Sequence, residues 1–174
     1  MAHTSTPRCW CATMERDGRY SAAVYGLCER AKSTNAIEVG LGHMQSGQSI
    51  VKSLANRAPA SLYTIDVSEY KLPDDMVKWS ESVGVSWVVR QADASLPFIL
   101  DGHYDFAHID GVGDDPDSLT SVYKTIGERM IPGSIFAIAG AGPEYPHIMD
   151  WCNTIGGFTL EMFGGRSGHA VKVL

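Results

Sequence analysis

The sequence predicts an α/β fold: a doubly wound, mostly parallel seven-stranded sheet that closes in an antiparallel C-terminal hairpin. Three observations predict it. Short apolar runs alternate with amphipathic runs at helical spacing from about residue 20 to the end. Four of the apolar runs are followed at once by a glycine or an acid, at Gly40, Asp66, Asp93 and Asp110. The last two runs are joined only by Gly164-Gly165-Arg166-Ser167-Gly168, too short for a parallel crossover and right for a hairpin.

Each element has its own signal. Residues 20–32 place Ala23, Val24, Leu27, Cys28 and Ala31 on one helical stripe. Residues 36–41 (AIEVGL) form a short apolar first strand. In helix 46–58, Ile50, Val51, Leu54 and Ala55 share a face, and Ser46 stands where a helix cap belongs. Strand 61–67 (SLYTIDV) follows, then helix 73–83, with Pro73 in its first turn and Asp74 and Asp75 at its positive end. Strand 85–91 leads to a short helix at 96–100, and strand 104–110 (YDFAHID) to helix 116–130, with Leu119, Val122, Tyr123 and Ile126 in register. Strand 134–139, helix 145–155 and the strands 158–163 and 169–174 complete the chain.

With 174 residues, the natural count is one domain, residues 21–174, preceded by an extension over residues 1–20. A chain of this length buries roughly 70% of its unfolded surface. The apolar fraction of 44% and charged fraction of 20% are those of an ordinary globular protein. No apolar run reaches the ~18 residues of a membrane span, and the first residues lack a secretory core, so a cytoplasmic location is expected. Cys9, Cys11, Cys28 and Cys152 then read as reduced thiols. The Cys9-Trp10-Cys11 pair has no second pair to complete a zinc site. A net charge of −6 gives no footprint for nucleic acid. The stretch from residue 101 to 117 holds six Asp and no Lys or Arg, read here as a solvated loop.

In a parallel sheet the ligand sits beyond the C-terminal strand ends, at the switch in strand order. There the chain offers Glu38-Val39-Gly40-Leu41-Gly42-His43, whose glycines let a ligand approach the backbone. Asp66, 24 residues after Gly42, suits the two hydroxyls of a ribose. Asp93 with Ala94 suits an exocyclic adenine amine. Asp110 ends an otherwise apolar strand, where a carboxylate needs a partner. Each acid also has a simpler reading as a cap or a loop residue.

In this order and spacing, these residues resemble the class I S-adenosylmethionine-dependent methyltransferases, and more narrowly their small O-methyltransferase-like branch, over about residues 22–174. The resemblance implies a Rossmann-like methyltransferase fold and S-adenosylmethionine as cofactor. By the same resemblance Glu38, Gly40 and Gly42 bind the cofactor by shaping the methionine loop, with Glu38 near the methionine amino group, and Ser46 bonds the methionine carboxylate. Asp66 holds the ribose, Asp93 and Ala94 meet the adenine, and Asp110 lies near the sulfonium. Asp110 and His43 are the catalytic candidates; His108 alternates with Phe106 and Asp110 and reads as a satisfied core histidine.

The chain departs from that pattern at two places. Met44 stands where a third loop glycine would be, and Ala139-Gly140-Ala141-Gly142 replaces the Asp-Asn pair of metal-dependent members. No metal is expected; Asp114, Asp115 and His147 are the only substitutes in view. The expected acceptor is a hydroxyl of a small molecule. With no cap domain, the first 20 residues, a second copy or the substrate must close the pocket. Three other readings stay open: a non-catalytic cofactor-binding module, an enzyme that cleaves the cofactor, and an NAD-dependent oxidoreductase. The last would want a glycine where Gln45 stands.

Overall fold

The structure, a computed structural model, describes residues 18–95, 100–112, 115–143, 145–164 and 167–174. The Cys9-Trp10-Cys11 pair, nearly all of the expected N-terminal extension, nearly all of helix 96–100, and Asp114 lie outside the described residues.

The chain runs α1 (Arg19–Ala31), β1 (Asn35–Val39), α2 (Gln45–Leu54), β2 (Ala60–Asp66), α3 (Asp74–Ser82), β3 (Val85–Gln91), β4 (Tyr104–Ile109), α4 (Pro116–Gly127), β5 (Met130–Ala141), α5 (Pro146–Ile155), β6 (Thr159–Gly164) and β7 (Ser167–Val173). The seven strands form one sheet in the order β3-β2-β1-β4-β5-β7-β6. Strands β1 to β5 are parallel, and β7 runs antiparallel between β5 and β6. The expected architecture holds, and the switch in strand order falls between β1 and β4.

Helices cover both faces, as a sheet of buried parallel strands requires. On one face α1, α2 and α3 pack over Ala36, Leu62, Trp87, Phe106 and Ile135. On the other, α4 and α5 pack over Ile37, Ile65, Ala107, Phe136 and Ile138. Strict alternation along each strand sends neighbours to opposite faces. One register row matters for the site: Glu38 of β1 lies between Thr64 of β2 and His108 of β4, so three polar side chains share the α1–α3 face.

The start of α2 corrects the expectation for Ser46. The cap is Met44, in the left-handed conformation with φ 63° and with no side-chain hydrogen bond. Ser46 is the second helical residue, and it is buried. Met44 thus adopts the backbone shape that a third loop glycine would have supplied, at a cost of about 1 kcal/mol. Asp115 spends its carboxylate on the cap of α4, accepting from the Asp117 and Ser118 amides. That leaves it a poor substitute metal ligand, and no group of three His, Cys, Asp or Glu among the described residues is arranged to hold a metal.

Candidate functional site

The C-terminal ends of β1, β2 and β4 are tied together by their own backbones. The Gly40 amide donates to the Ile65 carbonyl at 2.8 Å, and the Asp110 amide to the Val39 carbonyl at 2.8 Å. Gly40 has φ 88°, and a Cβ there would lie 1.5 Å from the Asp110 carbonyl oxygen. No other residue fits that position while the two turns keep their paths. A second glycine was not singled out in the sequence. A Cβ on Gly47, in the first turns of α2, would lie 2.4 Å from the Trp87 ring and 3.1 Å from Glu38 Oε2. Gly47 therefore lets α2 settle onto the sheet beneath the loop.

Above these strand ends lie two adjoining cavities that share Gly40, Asp66 and Gly111. The larger, about 290 Å³, is walled by Asp66, Val67, Ala92, Asp93, Ala94 and Val112 among others. The smaller, about 170 Å³, is walled by Tyr20, Gly42, His43, Ser46 and Asp110 among others. The residues singled out in the sequence therefore come together along one crevice, with Asp93 and Ala94 at one end and Asp110, His43 and Ser46 at the other. Glu38 is the exception: it is fully buried and lines neither cavity.

The acids are held by different means. Asp66 Oδ2 accepts from the Leu41 amide and Oδ1 from the Ser68 amide, each at 2.8 Å. Its carboxylate thus fixes the glycine loop and retains lone pairs for a ligand. Asp93 is exposed and accepts from the Ser95 amide and hydroxyl, which hold its carboxyl below the usual range. Asp110 accepts from the Tyr20 hydroxyl at 2.5 Å. Burial pushes the Asp110 carboxyl up, and the Tyr20 bond opposes that rise. Among the described residues, no Lys or Arg lines either cavity.

Behind the crevice runs a buried polar row. Glu38 Oε2 accepts from the Thr64 hydroxyl at 2.9 Å, and Thr64 Oγ1 accepts from the Trp87 indole at 3.0 Å. Glu38 Oε1 and His108 Nδ1 are 3.9 Å apart, and each lacks a hydrogen-bond partner. Burial pushes Glu38 up to about 8 and His108 down to about 3, so both are neutral near pH 7. His108 is buried as expected, but it is only partly satisfied. Its Nε2 lies 3.2 Å from His169 Nε2 and 3.5 Å from the Tyr20 hydroxyl.

Tyr20 and His169 escaped the sequence reading. A tyrosine near a helix start reads as core, and no local spacing links it to Asp110 90 residues away.

The shape of the whole chain can be compared with known proteins. The methyltransferase domain of bacterial CtHen1 superposes with a TM-score of 0.66 over 91% of this chain and 99% of that one, at 14% identity. An O-methyltransferase family protein from Burkholderia thailandensis gives 0.64 over 94% of this chain and 57% of its own, at 12% identity. The O-methyltransferase TomG from Streptomyces achromogenes, solved in complex with SAM, gives 0.57 over 88% and 79%, at 15% identity. No model of a protein family and no curated protein sequence matches the chain. The protein has a Rossmann-like doubly wound fold. Within that class, it is the fold of the class I S-adenosylmethionine-dependent methyltransferases. No helix among the described residues is long and apolar enough to cross a membrane.

Proposed function

We propose that the crevice binds S-adenosylmethionine and that the chain transfers its methyl group to a hydroxyl of a small molecule. One observation carries the reading: among the described residues the crevice presents Asp66, Asp93 and Asp110 and no Lys or Arg, on the strand ends of a methyltransferase fold. Such a wall favours a cationic ligand. Among the described residues the pyrophosphate of a dinucleotide would meet carboxylates and no cation, which weighs against the oxidoreductase reading.

The residues fit the cofactor part by part. Asp66 would accept from the ribose hydroxyls, with Asp93 and Ala94 at the adenine. Gly40 and Gly42 would leave room for the methionine portion, and Ser46 would face its carboxylate. Glu38 acts from behind, bonded to Thr64, and shapes the loop rather than touching the ligand. When bound, the cofactor supplies a methyl group already activated for in-line displacement. The protein's task is then alignment and proton handling. A hydroxyl acceptor loses its proton as it gains the methyl group; Asp110 and His43 are the groups assigned to take it, with Asp66 engaged by the ribose.

Titration calorimetry with S-adenosylmethionine, S-adenosylhomocysteine and NAD tests the binding half. Micromolar affinity for the first two and none for NAD is expected. Preference for NAD would overturn the reading. Mass analysis of the products then separates methyl transfer from cofactor cleavage and from binding without turnover.

A further inference from the structure

The geometry points to Tyr20 as a positioning residue that keeps Asp110 anionic and turned toward the crevice, so that the site prefers the positively charged form of its ligand over the neutral one. This rests on the reading of the crevice as a site for an adenosyl sulfonium. It adds the part of the chain that makes the discrimination.

Tyr20 sits in the first turn of α1 and is almost fully buried. Three rings fix it. His169 stacks on it at a centroid distance of 5.8 Å and 23°, Phe163 meets it edge-on at 5.9 Å, and His108 does so at 6.1 Å. The hydroxyl lies 2.5 Å from Asp110 Oδ2 and 3.5 Å from His108 Nε2, with the Ser46 side chain also beside it. The shorter contact is a charge-assisted bond, the kind that stabilises the ionised carboxyl most. The same hydroxyl lines the smaller cavity beside Asp110.

The other groups around Asp110 do not replace that bond. From β1 comes Glu38, uncharged below about pH 8. From β4 and β7 come His108 and His169, both pushed down by burial and therefore neutral. Asp66 from β2 and His43 from the loop after β1 share the cavity wall. Asp66 is a like charge, and His43 stands exposed at the mouth. Among the described residues, Tyr20 is thus the neutral side-chain donor to Asp110, and a cationic ligand adds to that compensation.

The test needs no acceptor. The affinities of the full chain for S-adenosylmethionine and S-adenosylhomocysteine are measured by calorimetry from pH 4.5 to 8.5, and their ratio is followed. In the unaltered chain the ratio falls as the pH drops and Asp110 takes up a proton. Tyr20→Phe removes the donor that favours the ionised form and moves the midpoint up by about one to two pH units. At pH 7 the ratio then falls about three- to tenfold while affinity for the neutral product stays within about twofold. Replacing Tyr20 by 3-fluorotyrosine strengthens the donor without disturbing the rings and moves the midpoint down. That variant also carries the test if Tyr20→Phe does not fold by circular dichroism. Asp110→Asn flattens the profile, and a His43→Gln background shows that the midpoint is not the imidazole's. If Tyr20→Phe weakens both ligands equally and leaves the midpoint in place, Tyr20 is a packing residue and the inference is overturned. If the unaltered chain binds neither ligand, the proposed function fails and takes the inference with it; if it binds both and Asp110→Asn leaves the ratio unchanged, the inference alone is overturned.

Discussion

On the α4–α5 face, Tyr123, Phe136, Trp151 and Phe158 meet ring to ring with centroids 5.1–6.5 Å apart. The Lys172 ammonium caps the Tyr123 and Phe158 rings and donates to the Gly156 carbonyl. On the α1–α3 face, the register row at the strand ends holds Thr64, Glu38 and His108 instead, with His169 beside them. One face is mainly apolar, with the aromatic cluster's polar tips satisfied and the Ser134 hydroxyl unmatched. The other keeps neutralised acids and imidazoles in the dark, three of them with an unmatched atom. Buried polar atoms without partners cost roughly 1–3 kcal/mol each. A fold accepts that where the groups do something else, and here the costly face lies directly under the crevice. The polar row underlies the Asp110 end of the crevice, while Val39, Ile65 and Ala94 of the other face wall its Asp93 end.

The largest effect that would break this contrast lies on the apolar face. Trp151→Ala empties the aromatic cluster and frees the Thr120 hydroxyl it bonds. It should cost about 3–5 kcal/mol of unfolding free energy in urea and leave ligand affinity per folded molecule unchanged. A large affinity loss would mean that the two faces are coupled. Next comes Asp66→Ala, expected to cost about 3 kcal/mol in S-adenosylmethionine affinity, because a charged acceptor for two hydroxyls and an anchor of the Leu41 amide go together. Unchanged binding by a folded variant would remove Asp66 from the site.

The third test uses pH. Glu38 holds its proton to about pH 8 in the fold and to about 4.5 when unfolded. Folding therefore takes up a proton in that window, and stability falls as pH rises through it. His108 works in the opposite sense. It stays neutral down to about pH 3 in the fold but charges near 6.5 when unfolded, so stability falls as pH drops below 6.5. Below about 6.5 the Glu38 slope is opposed by His108 and by His169, which burial also holds neutral; above 6.5 the histidine slopes are gone and the Glu38 slope remains. From pH 6.5 to 8 the protein should lose about 2 kcal/mol, and Glu38→Gln should abolish that loss. A flat profile in the unaltered chain would show that Glu38 is ionised in the fold. The smallest effect is a gain. Lys32, exposed, closes α1 in the left-handed conformation with φ 52°. Lys32→Gly should stabilise by roughly 0.5–1 kcal/mol in thermal melts without shifting the pH profile, since it strengthens the helix over the polar face and touches none of its groups.

The same contrast explains what was legible beforehand. Every strand was readable because periodicity and strand-end residues are local signals: Gly40, Asp66, Asp93 and Asp110 announce their own turns. The hairpin was readable from its short connection. The cap of α2 was misassigned because a methionine with positive φ has no local signature, whereas a serine two residues on has the usual one. Strand β5 is longer than its apolar run, since Met130 pairs with Tyr104 before the register shifts near Phe106, a relation set by β4 and not by residues 130–133. The partnership of Tyr20, Asp110, His108 and His169 joins α1, β4 and β7. No spacing within the chain encodes it.

The near-collision at Gly40 fixes how this crevice can behave. The turns after β1 and β4 touch backbone to backbone, so the bed of the crevice moves as one piece or not at all. Opening and closing are left to whatever approaches from above the sheet. The identity of residue 40 is then pinned by a carbonyl seventy positions away, and a single added methyl group would pry the bed apart before any ligand arrived.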